Sequence, residues 1–297
     1  SGVLTNSILT NIDIVEVNTW VNLDENTRFM ILPDSAFPAI DTAMLFEYKG
    51  HRILNTVDCK MPNNNVDLLL TEFAGGASGF PHMFEGDRYT EDFYSEFMSR
   101  ERKKLLLRIT QLAQGCSARY HVPFAGYFVE ARQQDARCKR LNKKNSAEDA
   151  SEYVSRRSKG TKSIALQSGQ SLDLSSGKTS DSWDGKLRKS WNFRLYDMQV
   201  SKKLQGHEYL GTQEAFEFYF NWVNLAGYDL VLQIYECESQ FNPLSGTPRL
   251  VDFLDLSFPS LTSSRTGART LTIKIRRDKL WLTMLTGINW DKLYIGF

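Results

Sequence analysis

Asp58 is the first residue whose type and place in the chain suggest chemistry. It closes a strand-like run, Asn55 to Cys59. Carboxylates at strand ends face the edge where ligands bind in α/β sheets, because the loops at that edge are free to carry function. A strand-end aspartate also serves as a turn cap, so both roles stay open on these residues alone.

A glycine-rich loop from Glu72 to Pro81 directly follows a run of three leucines. Its glycines let the backbone approach a ligand closely or turn sharply. A purely structural turn is the alternative interpretation. The candidate ligand-binding residues of this loop are Glu72, Gly75, Gly76 and Ser78.

Tyr127 ends a later strand-like run, where it follows Gly126. A tyrosine in this place can orient a sugar hydroxyl, and it can equally pack against its neighbours. We therefore add Tyr127 to the candidate binding residues and keep packing as the alternative.

Common catalytic motifs are missing from the sequence. It contains no phosphate-binding G-x-x-x-x-G-K-[ST], no dinucleotide-binding G-x-G-x-x-G, no H-E-x-x-H and no G-x-S-x-G. The histidines are isolated from one another, so a metal site would need ligands from distant loops. They are His51, His82, His121 and His207.

The composition of the 297 residues excludes several classes of protein. The formal net charge is +1, which gives no electrostatic drive toward nucleic acid or anionic lipid. The four cysteines are scattered, which argues against a disulfide scaffold and favours a reducing compartment. No run approaches the ~18 apolar residues of a membrane span, and no signal peptide is visible. We expect a cytoplasmic chain that binds no nucleic acid and has no membrane span.

The first third of the chain is rich in predicted strands, and the order strand, strand, helix, strand is the mixed pattern of a layered α/β domain. A glycine turn at Lys49-Gly50 predicts a hairpin, and Thr90 followed by two acids predicts the start of a helix that stops at Gly115. Apolar patterns predict strands at 8–17, 28–32, 43–48, 51–57, 67–71, 120–129, 229–237, 250–258 and 271–275, and a second helix at 213–225.

Residues 131–190 differ in composition from the rest of the chain. They hold 14 Lys or Arg against 7 Asp or Glu, so this segment carries +7 and the remainder −6. Few large apolar residues and many serines predict a flexible, solvated insertion; a basic lip for an anionic substrate is the alternative. We expect a core at 1–130, this insertion, and the remainder of the same α/β domain at 191–297.

Five longer motifs resemble one family, the CMP-N-acetylneuraminate hydroxylases, also called CMP-sialic acid monooxygenases. The resemblance is collinear and runs essentially from end to end. The motifs are ILNTVDC (53–59), FAGGASGFP (73–81), PFAGYFVE (123–130), LVDFLDLSFP (250–259) and LYIGF (293–297).

The resemblance implies a fold, a reaction and a set of cofactors. Family members join a Rieske [2Fe–2S] domain to a metallo-β-lactamase-like αββα sandwich with a mononuclear iron. They convert CMP-Neu5Ac to CMP-Neu5Gc in the cytosol, using O2 and electrons from NADH through cytochrome b5 and its reductase. We expect this chain to be that α/β sandwich, N-terminally incomplete and carrying the basic insertion.

The chain departs from the family pattern at the residues that hold metal. The Cys-x-His and Cys-x-x-His pattern of the cluster and the family's H-x-H-x-D-H run are both absent. Phe37 and Arg132 stand where the resemblance places histidines, and neither side chain can ligate a metal ion. Asp58 remains as the metal-ligating aspartate, and only His82 and His121 are local candidates for compensating ligands.

The resemblance and the departures together lead to one expectation and two alternatives. We expect the catalytic-domain portion of a CMP-Neu5Ac hydroxylase-like oxidoreductase, inactive as an isolated chain because the cluster and most iron ligands are missing. One alternative is a divergent paralogue that binds a nucleotide-sugar without oxidising it. The other is a metal-dependent hydrolase on the same fold.

Overall fold

The computed structural model describes residues 14–34, 41–57, 59, 65–74, 89–126, 135–167, 169–180 and 202–286. These residues form an α/β structure, which confirms the predicted class. They divide into two compact units. Unit 1 comprises Ser1–Gly76, Ser95–Phe128 and Lys143–Arg188, and unit 2 comprises Ala77–Tyr94, Val129–Asn142 and Lys189–Phe297.

Unit 1 is built on a mixed sheet whose strands lie side by side in chain order. The pairs from β1 to β4 are antiparallel, and the pairs from β4 to β7 are parallel. The strands are β1 (Trp20–Asn22), β2 (Thr27–Pro33), β3 (Thr42–Tyr48), β4 (His51–Val57), β5 (Leu68–Thr71), β6 (Tyr120–Pro123) and β7 (Lys162–Ser163).

The hairpin between β3 and β4 forms where the sequence predicts it. Tyr48 pairs with His51, so Lys49 and Gly50 alone make the turn. Both residues have positive φ, 47° and 81°, as a two-residue turn matching the strand twist requires. The strand predicted from residue 8 is not seen in its described part, since Ile14 and Val17 are exposed and outside the sheet.

Helices cover one face of the parallel half of this sheet. The backbone N–H of Phe93 donates to Thr90 Oγ1 at 3.2 Å, which confirms the predicted helix start. The α-helices within the described ranges are α1 (Glu91–Gly115), α2 (Ala136–Leu141), α3 (Ala147–Arg157), α4 (Gln213–Val223) and α5 (Arg277–Thr286).

The core of unit 1 lies between this face and helices α1 and α3. Leu54 and Leu69 point from neighbouring strands toward Ile109 of α1 and Val154 of α3, and all four are fully buried. Burial of each such side chain stabilises the fold by about 1.5–3 kcal/mol. The same packing holds β4 beside β5, whose pairing shifts by one residue between Asn55 and Val57 near the carboxyl ends.

The described part of residues 131–190 contains regular structure, where composition predicts a flexible segment. Helix α3 begins with a reciprocal capping box between Ser146 and Asp149, and it buries Ala150 and Val154. Strand β7 then adds to the sheet beside β6. A few small apolar residues at helical spacing are enough to anchor the segment. The division of the chain into core, insertion and remainder stays a prediction.

The described residues of unit 2 form a second sheet of three strands, β8 (Val231–Cys237), β9 (Arg249–Asp252) and β10 (Thr270–Arg276). Strand β8 lies in the middle, parallel to β10 and antiparallel to β9. Helices α4 and α5 contribute Phe216, Phe220 and Leu280 to its core. Helix α4 ends at Asn224, whose left-handed φ of 50° stops it before the predicted Gly227. Strand β9 is shorter than predicted, because the Asp252 carboxylate accepts the Leu254 N–H and turns the chain.

A fully buried ion pair lies within unit 2. Arg276, at the end of β10, donates two hydrogen bonds to the carboxylate of Asp135, which precedes α2. Both side chains are only 2% exposed. The Nε of Arg276 donates to the Ser239 carbonyl at 3.0 Å, and the guanidinium lies over the Phe241 ring. The pair ties α2 to the sheet through charge-assisted bonds.

None of the helices described in these ranges is long and apolar enough to cross a membrane.

Candidate functional site

The carboxyl ends of three parallel strands meet at one edge of the unit 1 sheet. Val57 of β4 is in register with Thr71 of β5, and Thr71 is in register with Pro123 of β6. The segments that follow these strands therefore leave the sheet together, at the place where α/β sheets bind ligands. We call this the carboxyl edge.

The three candidate segments of the sequence begin at the carboxyl edge, although most of their candidate residues lie outside the described residues. Glu72 and the first residues of its loop are described, as are 124–126 after β6. Outside the described residues lie Asp58, Gly75, Gly76, Ser78 and Tyr127, together with Phe37, His82 and Arg132.

The negative charge of Glu72, the first residue of the glycine-rich loop, is compensated by Arg108. Its side chain is 10% exposed, and its Oε1 accepts a hydrogen bond from Arg108 Nη2. Arg108 belongs to α1, so this ion pair fastens the start of the loop to the helix that covers the sheet. Sequence reasoning missed Arg108, because a partner 36 residues away leaves no local pattern.

Gly126 lets the segments after β5 and β6 come into contact. A Cβ at this position would lie 2.9 Å from both the Cβ and the backbone N of Ala74. Phe73 and Ala74 are buried beneath the edge. Gly126, which precedes the candidate residue Tyr127, therefore allows one loop to pack against the other.

His121 is buried under the carboxyl edge between two hydroxyl groups. Its Nε2 lies 2.9 Å from Thr71 Oγ1, and its Nδ1 lies 2.7 Å from Ser163 Oγ. Burial lowers the pKa of His121 to about 4, so the ring is neutral near pH 7. In a neutral ring one nitrogen donates and the other accepts, and a hydroxyl can take either role. The residue joins β5, β6 and β7 at the point where β5 ends.

The described residues do not fit an iron site. No group of three or more His, Cys, Asp or Glu that could hold a metal ion is found among them. His121, one of the two proposed compensating ligands, has both ring nitrogens engaged by hydroxyls. The described part of this edge therefore provides the first residues of two loops in contact with each other, a carboxylate paired with an arginine, and a buried neutral histidine.

The chain is similar to several known proteins that carry the same name. No family model matches the chain. It is 39% identical over 305 residues to a Danio rerio protein named cytidine monophosphate-N-acetylneuraminic acid hydroxylase, which aligns with 97% of this chain and 51% of the relative. The proteins of that name from Pongo pygmaeus and Sus scrofa are each 38% identical over 97% of this chain, and the chain covers 52% and 69% of them. The chain thus spans about half the length of the first two relatives.

Proposed function

Since the chain belongs to the CMP-N-acetylneuraminic acid hydroxylase family, we propose that it is a portion of an oxidoreductase that converts CMP-Neu5Ac to CMP-Neu5Gc. The observation that carries this proposal is the alignment of 97% of the chain at 38–39% identity with proteins of that name. Because the alignment extends over 97% of the chain, it includes residues of both units, and we assign both units to the proposed enzyme.

The carboxyl edge is the proposed substrate site. Loops from β5 and β6 start there in contact with each other, and they carry the proposed substrate-binding residues Glu72, Gly75, Gly76, Ser78 and Tyr127. The mixed sheet covered by α1 and α3 supports the further proposal of a metallo-β-lactamase-like αββα sandwich.

The cofactors and electron donors of the whole enzyme are proposed from the family. They are a mononuclear iron, for which Asp58 is the proposed ligand in this chain, a [2Fe–2S] cluster, and cytochrome b5 with its reductase, in the cytoplasm. The iron, the cluster and the electron donors would supply the oxidation. The described residues of this chain hold the loops in place and keep His121 neutral. Because Phe37 and Arg132 replace expected histidines, we propose that the isolated chain binds CMP-Neu5Ac without hydroxylating it.

A second candidate is a nucleotide-sugar-binding paralogue that performs no oxidation in any context. The same two replacements favour it, since they affect the proposed metal ligands and leave the glycine loop and the PFAGYFVE motif unchanged.

Calorimetry with CMP-Neu5Ac tests the binding that both candidates require. We expect saturable heat with CMP-Neu5Ac, weaker heat with CMP, and none with UDP-N-acetylglucosamine. No heat at high micromolar protein would overturn both candidates. Formation of CMP-Neu5Gc by the isolated chain with iron, a reductant and O2, followed by mass spectrometry, would overturn its proposed inactivity.

A further inference from the structure

A second group of reactive side chains lies in unit 1 at the other end of the parallel strands. His51 begins β4, Asp67 immediately precedes β5, and Ser175 lies in the turn after β7. From this arrangement we propose an esterase site, in which Ser175 is the nucleophile, His51 the general base and Asp67 the residue that orients the base. We call the three the serine relay, and the proposal goes beyond the hydroxylase function.

The connectivity of the serine relay is that of a serine hydrolase. His51 Nε2 lies 3.4 Å from Ser175 Oγ, and His51 Nδ1 lies 3.7 Å from Asp67 Oδ2. Each ring nitrogen thus faces the partner that general-base catalysis assigns to it. Both distances exceed the ~2.6–3.2 Å of a working relay, as is common before a substrate binds.

Asp67 is held in place by the backbone of the neighbouring strand. Its Oδ2 accepts the Arg52 N–H at 2.9 Å, and its own N–H donates to the Arg52 carbonyl at 2.9 Å. The carboxylate therefore stays beside the histidine, and 29% of its side chain is exposed.

Ser175 is held by a turn with fixed geometry. The Asp173 Oδ1 accepts the N–H groups of Ser175 and Ser176 at 2.8 and 2.9 Å. These bonds also lower the pKa of Asp173. Gly177, with φ of 68°, packs directly over the Tyr120 hydroxyl, where any side chain would collide. A nucleophile on such a turn is positioned before substrate arrives.

Two cations lie beside the nucleophile. Arg119 Nη2 donates to the Ser175 carbonyl at 3.3 Å, and Lys162 Nζ donates to the Gly177 carbonyl at 3.2 Å. Within the described part of the chain, neither forms an ion pair with a carboxylate. They can stabilise the negative charge that develops on an acyl oxygen attacked by Ser175. The substrate class is therefore small, solvent-accessible carboxylic esters, with preference for those that carry a second, anionic group.

The reaction balances without a co-reactant other than water. Ser175 Oγ attacks the ester carbonyl while His51 Nε2 takes the hydroxyl proton, and that proton passes to the leaving alcohol as the ester C–O bond breaks. Water then attacks the acyl-serine and gives one proton to His51. The proton returns to Ser175 Oγ as the carboxylic acid leaves.

Hydrolysis of p-nitrophenyl acetate and p-nitrophenyl succinate by the chain tests the relay, together with covalent labelling by a fluorophosphonate. We expect Ser175→Ala to abolish labelling, and Ser175→Ala and His51→Gln each to lower the rate about 100-fold. Asp67→Asn should lower it about tenfold, and Arg119→Gln should remove the preference for the succinate ester. Ser99→Ala, at an exposed serine of α1 outside the serine relay, is the matched control and keeps the wild-type rate.

Three results would overturn the proposal. The first is wild-type hydrolysis no faster than buffer. The second is labelling that persists in Ser175→Ala. The third is a Ser175→Ala variant that retains the rate lost by His51→Gln, since this would assign the reaction to imidazole alone. Thermal unfolding of each variant confirms that the changes arise in a folded chain.

Discussion

At the scale of single residues, His121 makes the stability of unit 1 depend on pH. Its pKa is about 4 in the folded chain and ordinarily 6.5, so the unfolded chain takes up the proton first as the pH falls. The contribution to the free energy of unfolding is complete above pH 6.5 and is lost between pH 6.5 and 4. It amounts to about 3 kcal/mol over that interval.

We expect urea unfolding to show this loss in the wild type and not in His121→Gln. The variant is less stable at pH 7.5, because it lacks the bonds to Thr71 and Ser163. Its free energy of unfolding should nevertheless change less between pH 6.5 and 4.5. Equal changes in the two proteins over this interval would show that His121 is not held neutral.

Gly126 is the second residue with a defined energetic consequence. Gly126→Ala places a methyl group 2.9 Å from Ala74, in a contact that includes backbone and cannot be relieved by a side-chain rotation. We expect a loss of about 1–3 kcal/mol in chemical denaturation. Gly246→Ala, where an added Cβ meets nothing within 4 Å, is the matched control. If both variants were equally stable, the loops after β5 and β6 would not be packed as described.

Residue-level prediction from sequence named the segments that leave the carboxyl edge and missed the tertiary contacts that hold them. The strand ends, the glycine loop and Gly126 are visible as local patterns, and the sheet register brings them to one edge. The Arg108 partner of Glu72 and the hydroxyl partners of His121 come from distant parts of the chain. No periodicity or motif marks such pairs, because they are set by tertiary packing.

At the scale of elements, the buried ion pair between Asp135 and Arg276 fixes α2 to the sheet of unit 2. Asp135→Ala removes the carboxylate that accepts two hydrogen bonds from the buried guanidinium, so we expect a loss of about 3–5 kcal/mol. Removing both charges, with Asp135→Leu and Arg276→Met, should restore much of the stability, since the desolvation cost of the pair also disappears.

The exposed pair between Glu91 and Arg140 is the control for this experiment. Glu91→Gln should scarcely change the midpoint of guanidinium unfolding, because water screens that pair. A double variant no more stable than Asp135→Ala would contradict the assignment of the loss to the removal of one charge from the buried pair.

The ends of helices and strands were predicted more accurately from turn and cap residues than from the pattern of apolar residues. The hairpin at Lys49-Gly50 and the helix start at Thr90 were predicted and confirmed, because turn and cap residues act within a few positions. The ends of α4 and β9 were misplaced. Asn224 and Asp252 stop them through a left-handed backbone and a side-chain turn, which the apolar pattern does not register.

At the scale of the whole molecule, each unit draws on several separate parts of the chain. Sequence reasoning predicted one α/β domain with an insertion at 131–190, because composition changes at these positions are linear signals, and that division stays a prediction. Compact units assemble from contacts between distant segments, which composition does not report.

The change from antiparallel to parallel pairing at β4 has a consequence for how unit 1 acquires its fold. Strand β4 pairs with β3 across two turn residues, whereas β5 ends at Thr71 and its partner β6 begins only at Tyr120. Closing the longer loop costs more chain entropy before any contact compensates for it. In pulsed hydrogen exchange during refolding, amides of β3 and β4 should therefore become protected before those of β6. The carboxyl edge, and the ligand site proposed there, would therefore form after the antiparallel half of this sheet.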